Sequence, residues 1–115
     1  MSKFRKGMHT PAFILLFLAK QPTYGGDLLS RLEEELPHNL IDSPSLYRTL
    51  KKLEEQGAVK YTWHKQTERR NVKYYELTEI GYEKLAQFYE DILLRYNNLA
   101  LFIQQYESLK ESKDD

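Results

Sequence analysis

The sequence predicts a mainly α-helical fold with one small β-hairpin, in a chain whose 115 residues are the usual size of a single domain. Two helix starts marked by proline lie near residues 10 and 43. Two stretches rich in valine, tyrosine, tryptophan and threonine lie between residues 58 and 77, as expected of paired strands. An apolar repeat of seven residues then runs from residue 82 to residue 106 and indicates a long final helix.

The first two predicted helices differ in their surroundings. The first begins with Thr10 as its N-cap and Pro11 as its first helical residue, and Pro22 ends it. It is apolar around its whole circumference, so we expect it to be buried. The second helix runs from about residue 23 to residue 36, with leucines on its inner face and three consecutive glutamates on its outer face.

The third predicted helix, residues 43–56, has the clearest boundaries. Ser43 is the expected N-cap, Pro44 follows at the first helical position, and Gly57 stops the helix. Three leucines form one core stripe at 4-then-3 spacing: Leu46, Leu50 and Leu53. The side chains that point away from this stripe are mostly cationic or small and polar: Ser45, Arg48, Lys51, Lys52 and Glu55, with Tyr47 and Thr49 at the borders.

The predicted hairpin pairs residues 58–63 with residues 71–77. The connecting segment "HKQTERR" is polar and basic, and it has no Asn-Gly type of turn. We therefore expect a long, flexible loop at residues 64–70.

The final helix, residues 78–109, is predicted to start at Thr78 and to contain one weak point, Gly81, which costs about 1 kcal/mol relative to alanine. Its heptad seam comprises Tyr82, Leu85, Tyr89, Ile92, Tyr96, Leu99, Ile103 and Tyr106. A helix of about 30 residues is about 45 Å long, so its apolar stripe either folds back on its own domain or pairs with a second copy in a two-fold dimer. Residues 1–77 form the domain before it, and 110–115 are expected to be a disordered tail.

Composition excludes several classes of protein. The chain has no cysteine, and its three histidines lack the spacing of metal ligands, so we predict no cofactor and no metal. The longest apolar run, residues 12–19, is too short to span a membrane, and no cleavage site follows the basic start, which favours a cytoplasmic protein. No catalytic triad, carboxylate pair or phosphate loop is present, so we predict no enzyme activity.

The distribution of charge points to a polyanionic partner although the net charge is zero. Residues 43–73 carry eight cations and three acids, and three helices, a hairpin and a long helix is the order of a winged helix-turn-helix with a C-terminal dimerisation helix. The third helix would then enter the major groove of double-stranded DNA, with the basic wing, residues 64–71, on the backbone or minor groove. The alternative is a winged-helix adaptor that binds an acidic protein instead. The predicted DNA contacts are Ser43, Ser45, Tyr47, Arg48, Thr49, Lys51, Lys52, Lys65, Arg69, Arg70 and Lys73.

Three segments resemble the PadR family of bacterial transcriptional regulators: "PAFILLFLAKQPTYGGDLLSRLEEE", "SPSLYRTLKKLEEQGAVK" and "ERRNVKYYELTEIGYEKL". The resemblance implies a homodimeric, ligand-responsive repressor of a pseudo-palindromic operator, with the final helix exchanged against the first helix of the partner. It implies that Tyr47 lies near the phosphate backbone. The dimer interface is then predicted to comprise Phe13 and Phe17 together with the heptad seam.

The resemblance also implies a pocket for a small aromatic or hydrophobic effector. Its candidate residues are Phe13, Phe17, Phe88, Tyr89, Ile92 and Tyr96, for which core and dimer packing is the alternative interpretation. Two positions depart from the family pattern. Arg48 stands where proline is frequent, and Ile92 stands where multidrug-binding members carry a tryptophan that stacks on flat ligands.

Overall fold

The computed structural model of the chain describes residues 9–114, which form four helices and one three-stranded antiparallel sheet. In chain order these are α1 (Thr10–Lys20), β1 (Thr23–Tyr24), α2 (Gly25–Glu35), α3 (Ser43–Glu55), β2 (Val59–Thr67), β3 (Arg70–Leu77) and α4 (Glu79–Asp114). The predicted fold class, a mainly helical winged helix-turn-helix with a long C-terminal helix, is confirmed. The basic segment at residues 1–8 and the final residue of the predicted tail lie outside the described residues.

The chain divides into two compact units, one up to Leu85 and one from Ala86 onward. The core of the first unit contains seven large aliphatic side chains that are almost completely inaccessible to solvent: Ile14, Leu15, Leu18, Leu28, Leu32, Leu46 and Leu50. Each such side chain contributes about 1.5–3 kcal/mol when it is removed from water. The predicted burial of α1 and the leucine stripe of α3 are therefore both confirmed.

Two helices begin one residue earlier than the sequence predicted. His9 rather than Thr10 is the N-cap of α1, and Asp42 rather than Ser43 is the N-cap of α3, so each proline is the second helical residue. The Asp42 carboxylate accepts a hydrogen bond from the backbone N–H of Ser45 at 2.8 Å. A carboxylate there also interacts favourably with the positive end of the helix dipole, which explains why aspartate takes the cap in place of serine.

The sheet differs most from its prediction. Thr23 and Tyr24, expected to be helical, form a short strand that pairs with Tyr75 and Tyr74, so the strand order is β1-β3-β2. The expected loop at residues 64–70 is instead mostly strand, because β2 extends to Thr67 and β3 begins at Arg70. A register irregularity between Lys65 and Thr67 accommodates the tight turn that follows.

The turn that follows α3 is hydrogen-bonded to the start of α4. Gly57 has a φ of 76°, and the backbone N–H groups of Gly57 and Ala58 donate to the carbonyls of Glu54 and Leu53 at 3.0 and 2.9 Å. This is the glycine-ended cap that the sequence predicted. The Thr78 hydroxyl donates to the Gly57 carbonyl at 2.5 Å and accepts from the Gly81 N–H at 3.1 Å, which confirms Thr78 as the cap of α4.

Gly81, predicted as a weak point of the helix, fills a position that has no room for a side chain. A Cβ atom there would overlap the carbonyl oxygen of Ala58 and lie 3.0 Å from Cγ of Leu77. Glycine at this position therefore allows the first turn of α4 to lie against the backbone that leaves α3.

The second unit consists of α4 from Ala86 onward. The helix continues to Asp114, whereas the sequence predicted its end near residue 109. Large apolar side chains remain exposed along it, among them Tyr96, Leu99 and Ile103. Within residues 9–114, no helix combines the length and the apolar character needed to cross a membrane.

Candidate nucleic-acid interface

The outer face of α3 presents its cations to solvent. Arg48, Lys51 and Lys52 are exposed, and Ser45 and Thr49 are half-buried beside them. A terminal guanidinium nitrogen of Arg48 donates to the Ser45 hydroxyl at 3.3 Å, one turn toward the helix start. The leucine stripe holds the opposite side of α3 in the core, so this face is fixed toward solvent.

The four predicted wing cations lie at different distances from the hairpin turn. Lys65 lies on β2 and is paired with Glu68 at 3.3 Å, while Arg69 is in the turn and Arg70 is the first residue of β3. Lys73 lies farther from the turn, where its ammonium is 3.7 Å from the carboxylate of Glu54 on α3. The wing cations are therefore not equivalent, because two of the four are already paired with acids.

A cleft of about 740 Å³ lies between α3, the hairpin and the start of α2. It brings together four of the predicted DNA contacts, Tyr47, Lys51, Arg70 and Lys73. Ser43, Ser45, Arg48, Thr49, Lys52, Lys65 and Arg69 do not line it. The remaining lining residues are Tyr24, Gly25, Gly26, Glu54, Trp63, Gln66, Asn71, Val72 and Tyr75.

The position of Tyr47 depends on a glycine in α2. A Cβ atom at Gly25 would lie 2.5 Å from Cε1 of Tyr47 and 2.8 Å from its hydroxyl oxygen. The ring therefore rests directly on the first turn of α2, although 48% of Tyr47 remains exposed. Gly25 therefore leaves the space that the Tyr47 ring occupies against the first turn of α2.

Five cations on α3 and the hairpin tip have no carboxylate partner among the described residues, and two of them, Lys51 and Arg70, line the cleft. Within residues 9–114, no carboxylate lies within 4.0 Å of the side-chain nitrogens of Arg48, Lys51, Lys52, Arg69 or Arg70. Exposed cations without acidic partners attract phosphate groups, and the field of several such cations adds. The surface can therefore bind a polyanion.

Nine lining residues of the cleft are not among the predicted DNA contacts, and three of them matter most: Gly25, Glu54 and Trp63. Gly25 and Glu54 carry no local sequence signal for a binding site, and Trp63 lies in a stretch that the sequence predicts as an ordinary strand. Trp63 is 61% exposed, and its ring packs edge-on against Tyr61 with centroids 5.7 Å apart. An exposed tryptophan that alternates with a second aromatic residue was the available signal.

Tyr75 lies at the inner end of the cleft and is 6% exposed. Burial, with smaller contributions from Glu54, Tyr47 and Tyr61, raises the pKa of the Tyr75 hydroxyl above 10.0. The neutral phenol is therefore favoured at this position.

The predicted dimer and effector residues fall in both units. Six seam residues are 55–65% exposed: Tyr82, Tyr89, Tyr96, Leu99, Ile103 and Tyr106. Leu85, Phe88 and Ile92 are half-buried. In the first unit Phe13 is half-buried, and Phe17 is buried with the cations of Lys20 and Arg31 each 5.2 Å from its ring centroid. The dimer interface and the effector pocket stay predictions.

Comparisons with known proteins agree with this architecture. Residues 14–87 match the profile of the transcriptional regulator PadR-like family. None of the curated protein sequences matches the chain. Among solved structures, a PadR family transcription regulator from Clostridium difficile R20291 has a TM-score of 0.71 at 21% identity, over 83% of this chain and 98% of that one.

Two further structures are more similar in sequence. A PadR-like transcription factor from Bacteroides fragilis is 28% identical, with a TM-score of 0.66 over 83% of this chain and 92% of that one. Bacillus subtilis PadR, solved in complex with operator DNA, is also 28% identical with a TM-score of 0.66, over 70% of this chain and 45% of that one. The matched segment contains the whole helix-turn-helix and the hairpin, and it covers more than half of the chain. The chain therefore belongs to the PadR-like family of transcriptional regulators.

Proposed function

We propose that this chain is a homodimeric, DNA-binding transcriptional repressor that inserts α3 into the major groove of an operator and sets its hairpin against the adjacent backbone or minor groove. The observation that carries the proposal is the set of cations on α3 and the hairpin tip that have no carboxylate partner within residues 9–114, two of which, Lys51 and Arg70, line one cleft. The Bacillus subtilis PadR structure supports it, because that relative was solved with operator DNA.

The roles of the cations follow from their positions. Lys51 and Arg70 line the cleft, and Arg69 occupies the exposed hairpin turn. Most protein–DNA hydrogen bonds go to the backbone, so we assign these three to phosphates. Arg48 and Ser45, joined by a hydrogen bond at the start of α3, are the pair that we assign to base edges.

Dimerisation is proposed from the apolar surface of α4. Tyr96, Leu99 and Ile103 are each more than half exposed, and they recur at heptad spacing on one side of the helix. Contiguous exposed apolar side chains of this size indicate an interface. A second copy of α4 presents the same repeat and is therefore the matching partner. A two-fold dimer would present two α3 helices to half-sites about 34–36 Å apart, which requires a pseudo-palindromic operator.

The repressor role and the response to a small aromatic or hydrophobic effector are proposed from the family resemblance, and both presuppose DNA binding. They are tested by reporter expression and by the release of bound DNA on addition of candidate aromatic compounds. A cytoplasmic location is proposed from the short apolar run at residues 12–19.

DNA binding is tested by fluorescence anisotropy with a labelled fragment of the chain's own promoter and with a mixed-sequence duplex. We expect the logarithm of the binding constant to fall linearly with the logarithm of the salt concentration, with a slope of about 0.9 for each phosphate contact. The Lys51→Gln variant should bind both duplexes more weakly and reduce the salt slope by about 2 in the dimer. Absence of binding to either duplex at low salt, with binding to an acidic protein instead, would favour the adaptor alternative.

A matched control uses Lys20→Gln. Lys20 is an exposed cation that pairs with Glu35 at 3.3 Å, at the opposite end of α2 from Gly25 and Tyr47. An eleven-residue helix separates these ends by about 16 Å, so this change should leave DNA affinity unaltered. An equal loss in both variants would show that the measurement reports net charge alone.

A further inference from the structure

The middle of the hairpin carries a cation, Lys73, that contacts an acid and two aromatic rings. The Lys73 ammonium lies 3.7 Å from Oε1 of Glu54 on α3. The same ammonium lies 4.2 Å from the ring centroid of Tyr61 and 5.9 Å from that of Trp63. The side chains of Lys73 and Glu54 are 36% and 34% exposed, so about two thirds of each is shielded from water.

The strand register explains this arrangement. Tyr61 is opposite Tyr75 and Trp63 is opposite Lys73, and directly opposed residues lie on the same face of a sheet. These four side chains therefore share one face of the hairpin. Glu54 reaches that face from the last turn of α3, so its contact with Lys73 joins the helix to both strands.

The contacts of Lys73 distinguish it from the cations at the tip of the hairpin. Its ammonium already has a carboxylate partner and lies over an aromatic ring face, an arrangement that stabilises a cation. Moving it to a DNA phosphate would leave the Glu54 carboxylate without its partner in a cleft that faces a polyanion. Arg69 and Arg70 have no acidic partner within 4.0 Å in the part of the chain that the structure describes, so they can meet phosphates without this cost.

We propose that Glu54 and Lys73 form a clasp that sets the angle between α3 and the hairpin, and that Lys73 is a positioning residue for DNA binding rather than a phosphate contact. The proposal rests on the proposed DNA-binding function. It reassigns one of the predicted contacts and gives Glu54, an acid in a cationic cleft, a role that favours binding.

The two possible roles of Lys73 predict opposite effects for Glu54. If Lys73 met a phosphate, Glu54→Gln would release the lysine and remove a repulsive charge, and DNA would bind more tightly. If the two residues form a clasp, Glu54→Gln and Lys73→Gln each weaken binding by about 3–10-fold, and the double variant is no weaker than either single one, because contacting residues are not additive. Tighter or unchanged binding by Glu54→Gln overturns the proposal.

Salt dependence gives a second readout, with Arg70→Gln as the comparison. Loss of an arginine that meets a phosphate lowers the salt slope by about 2 for a dimer, whereas loss of the clasp leaves the slope unchanged. Lys73→Arg keeps the charge, the carboxylate partner and the ring contact, so this variant should retain most of the wild-type affinity for DNA. A reduced slope in Lys73→Gln overturns the proposal.

The clasp is also measurable without DNA, which separates it from the proposed function. Trp63 is the only tryptophan of the chain, and its fluorescence reports the surroundings of Lys73. Both glutamine variants should change the emission and acrylamide quenching of Trp63 in the same direction, with helix content retained by circular dichroism, while Lys20→Gln leaves them unaltered. If the wild type fails to bind DNA but these signals change, the DNA-binding proposal fails and the clasp stands. If the Trp63 signals do not change, the clasp fails.

Discussion

Replacement of Gly81 by alanine separates the effect of helix propensity from that of packing. On propensity alone, alanine inside a helix is about 1 kcal/mol more favourable than glycine, so the change should stabilise the protein. In the structure the added Cβ would overlap the carbonyl oxygen of Ala58. Because that oxygen belongs to the backbone and accepts the Thr78 N–H at 3.1 Å, it cannot swing aside as the end of a side chain would.

The expected magnitude follows from what must move. If α4 shifts away from Ala58, the hydrogen bond from the Thr78 N–H at 3.1 Å and that from its hydroxyl to Gly57 at 2.5 Å both lengthen. Loss of both bonds costs about 2 kcal/mol, and the remaining overpacking adds about 1 kcal/mol, which makes about 3 kcal/mol in total. After subtraction of the gain in propensity, we expect Gly81→Ala to lower the free energy of unfolding by about 2 kcal/mol, or Tm by about 8 °C.

The assay is urea unfolding followed by circular dichroism, at one fixed protein concentration because a dimer's stability depends on it. Gly26→Ala is the control. Gly26 is also helical, but its Cβ would lie 3.3 Å from the ring edge of Tyr24, a side-chain atom that can shift more easily than backbone, so this change should be neutral or slightly stabilising. A Gly81→Ala variant that matches or exceeds the wild type in stability would refute the packing argument.

Three further predictions concern the cap, the buried phenol and the seam. Asp42→Ala should cost about 1 kcal/mol in urea unfolding because it removes the cap of α3, whereas Ser43→Ala should cost almost nothing, and the reverse order would contradict the assigned cap. Burial raises the pKa of the Tyr75 hydroxyl, so the stability that the neutral phenol contributes is lost as the pH rises above 10.0. In Tyr75→Phe the urea midpoint should therefore fall less than in the wild type between about pH 8 and pH 11. Leu99→Asp should yield monomers in sedimentation velocity, while Asn98→Asp, which adds the same charge off the seam, should remain dimeric; a Leu99→Asp dimer would refute the seam.

Local signals account for the parts of the fold that the sequence predicts well. The leucine stripe of α3, the glycine stop at Gly57 and the cap at Thr78 each depend on residues within one or two turns, and the structure has all three. The two N-caps were each misplaced by one residue. In α3 the sequence contains two good capping residues side by side, and only the geometry shows that the carboxylate of Asp42 takes the Ser45 N–H.

Features that depend on pairing between distant segments could not be predicted in the same way. Strand β1 has two residues, too few for any periodicity, and it exists because β3 lies beside it. The outer hairpin is exposed on both faces, so its strands lack the apolar alternation that identifies a half-buried strand and were interpreted as a loop. The contact of Glu54 with Lys73 depends both on the register of the hairpin and on where α3 ends, and local sequence does not show that the two meet.

The two-residue strand β1 also has a consequence for how the chain folds. Its partner in β3 lies about fifty positions later in the sequence, so the sheet closes only after one of the longest loops in the first unit has been ordered. Contacts of such high sequence separation slow folding, whereas the contacts among the three helices that precede the hairpin join nearer segments. During synthesis, which releases the N-terminal part first, we expect the helices to collapse early and to wait for β3 before the edge strand is completed.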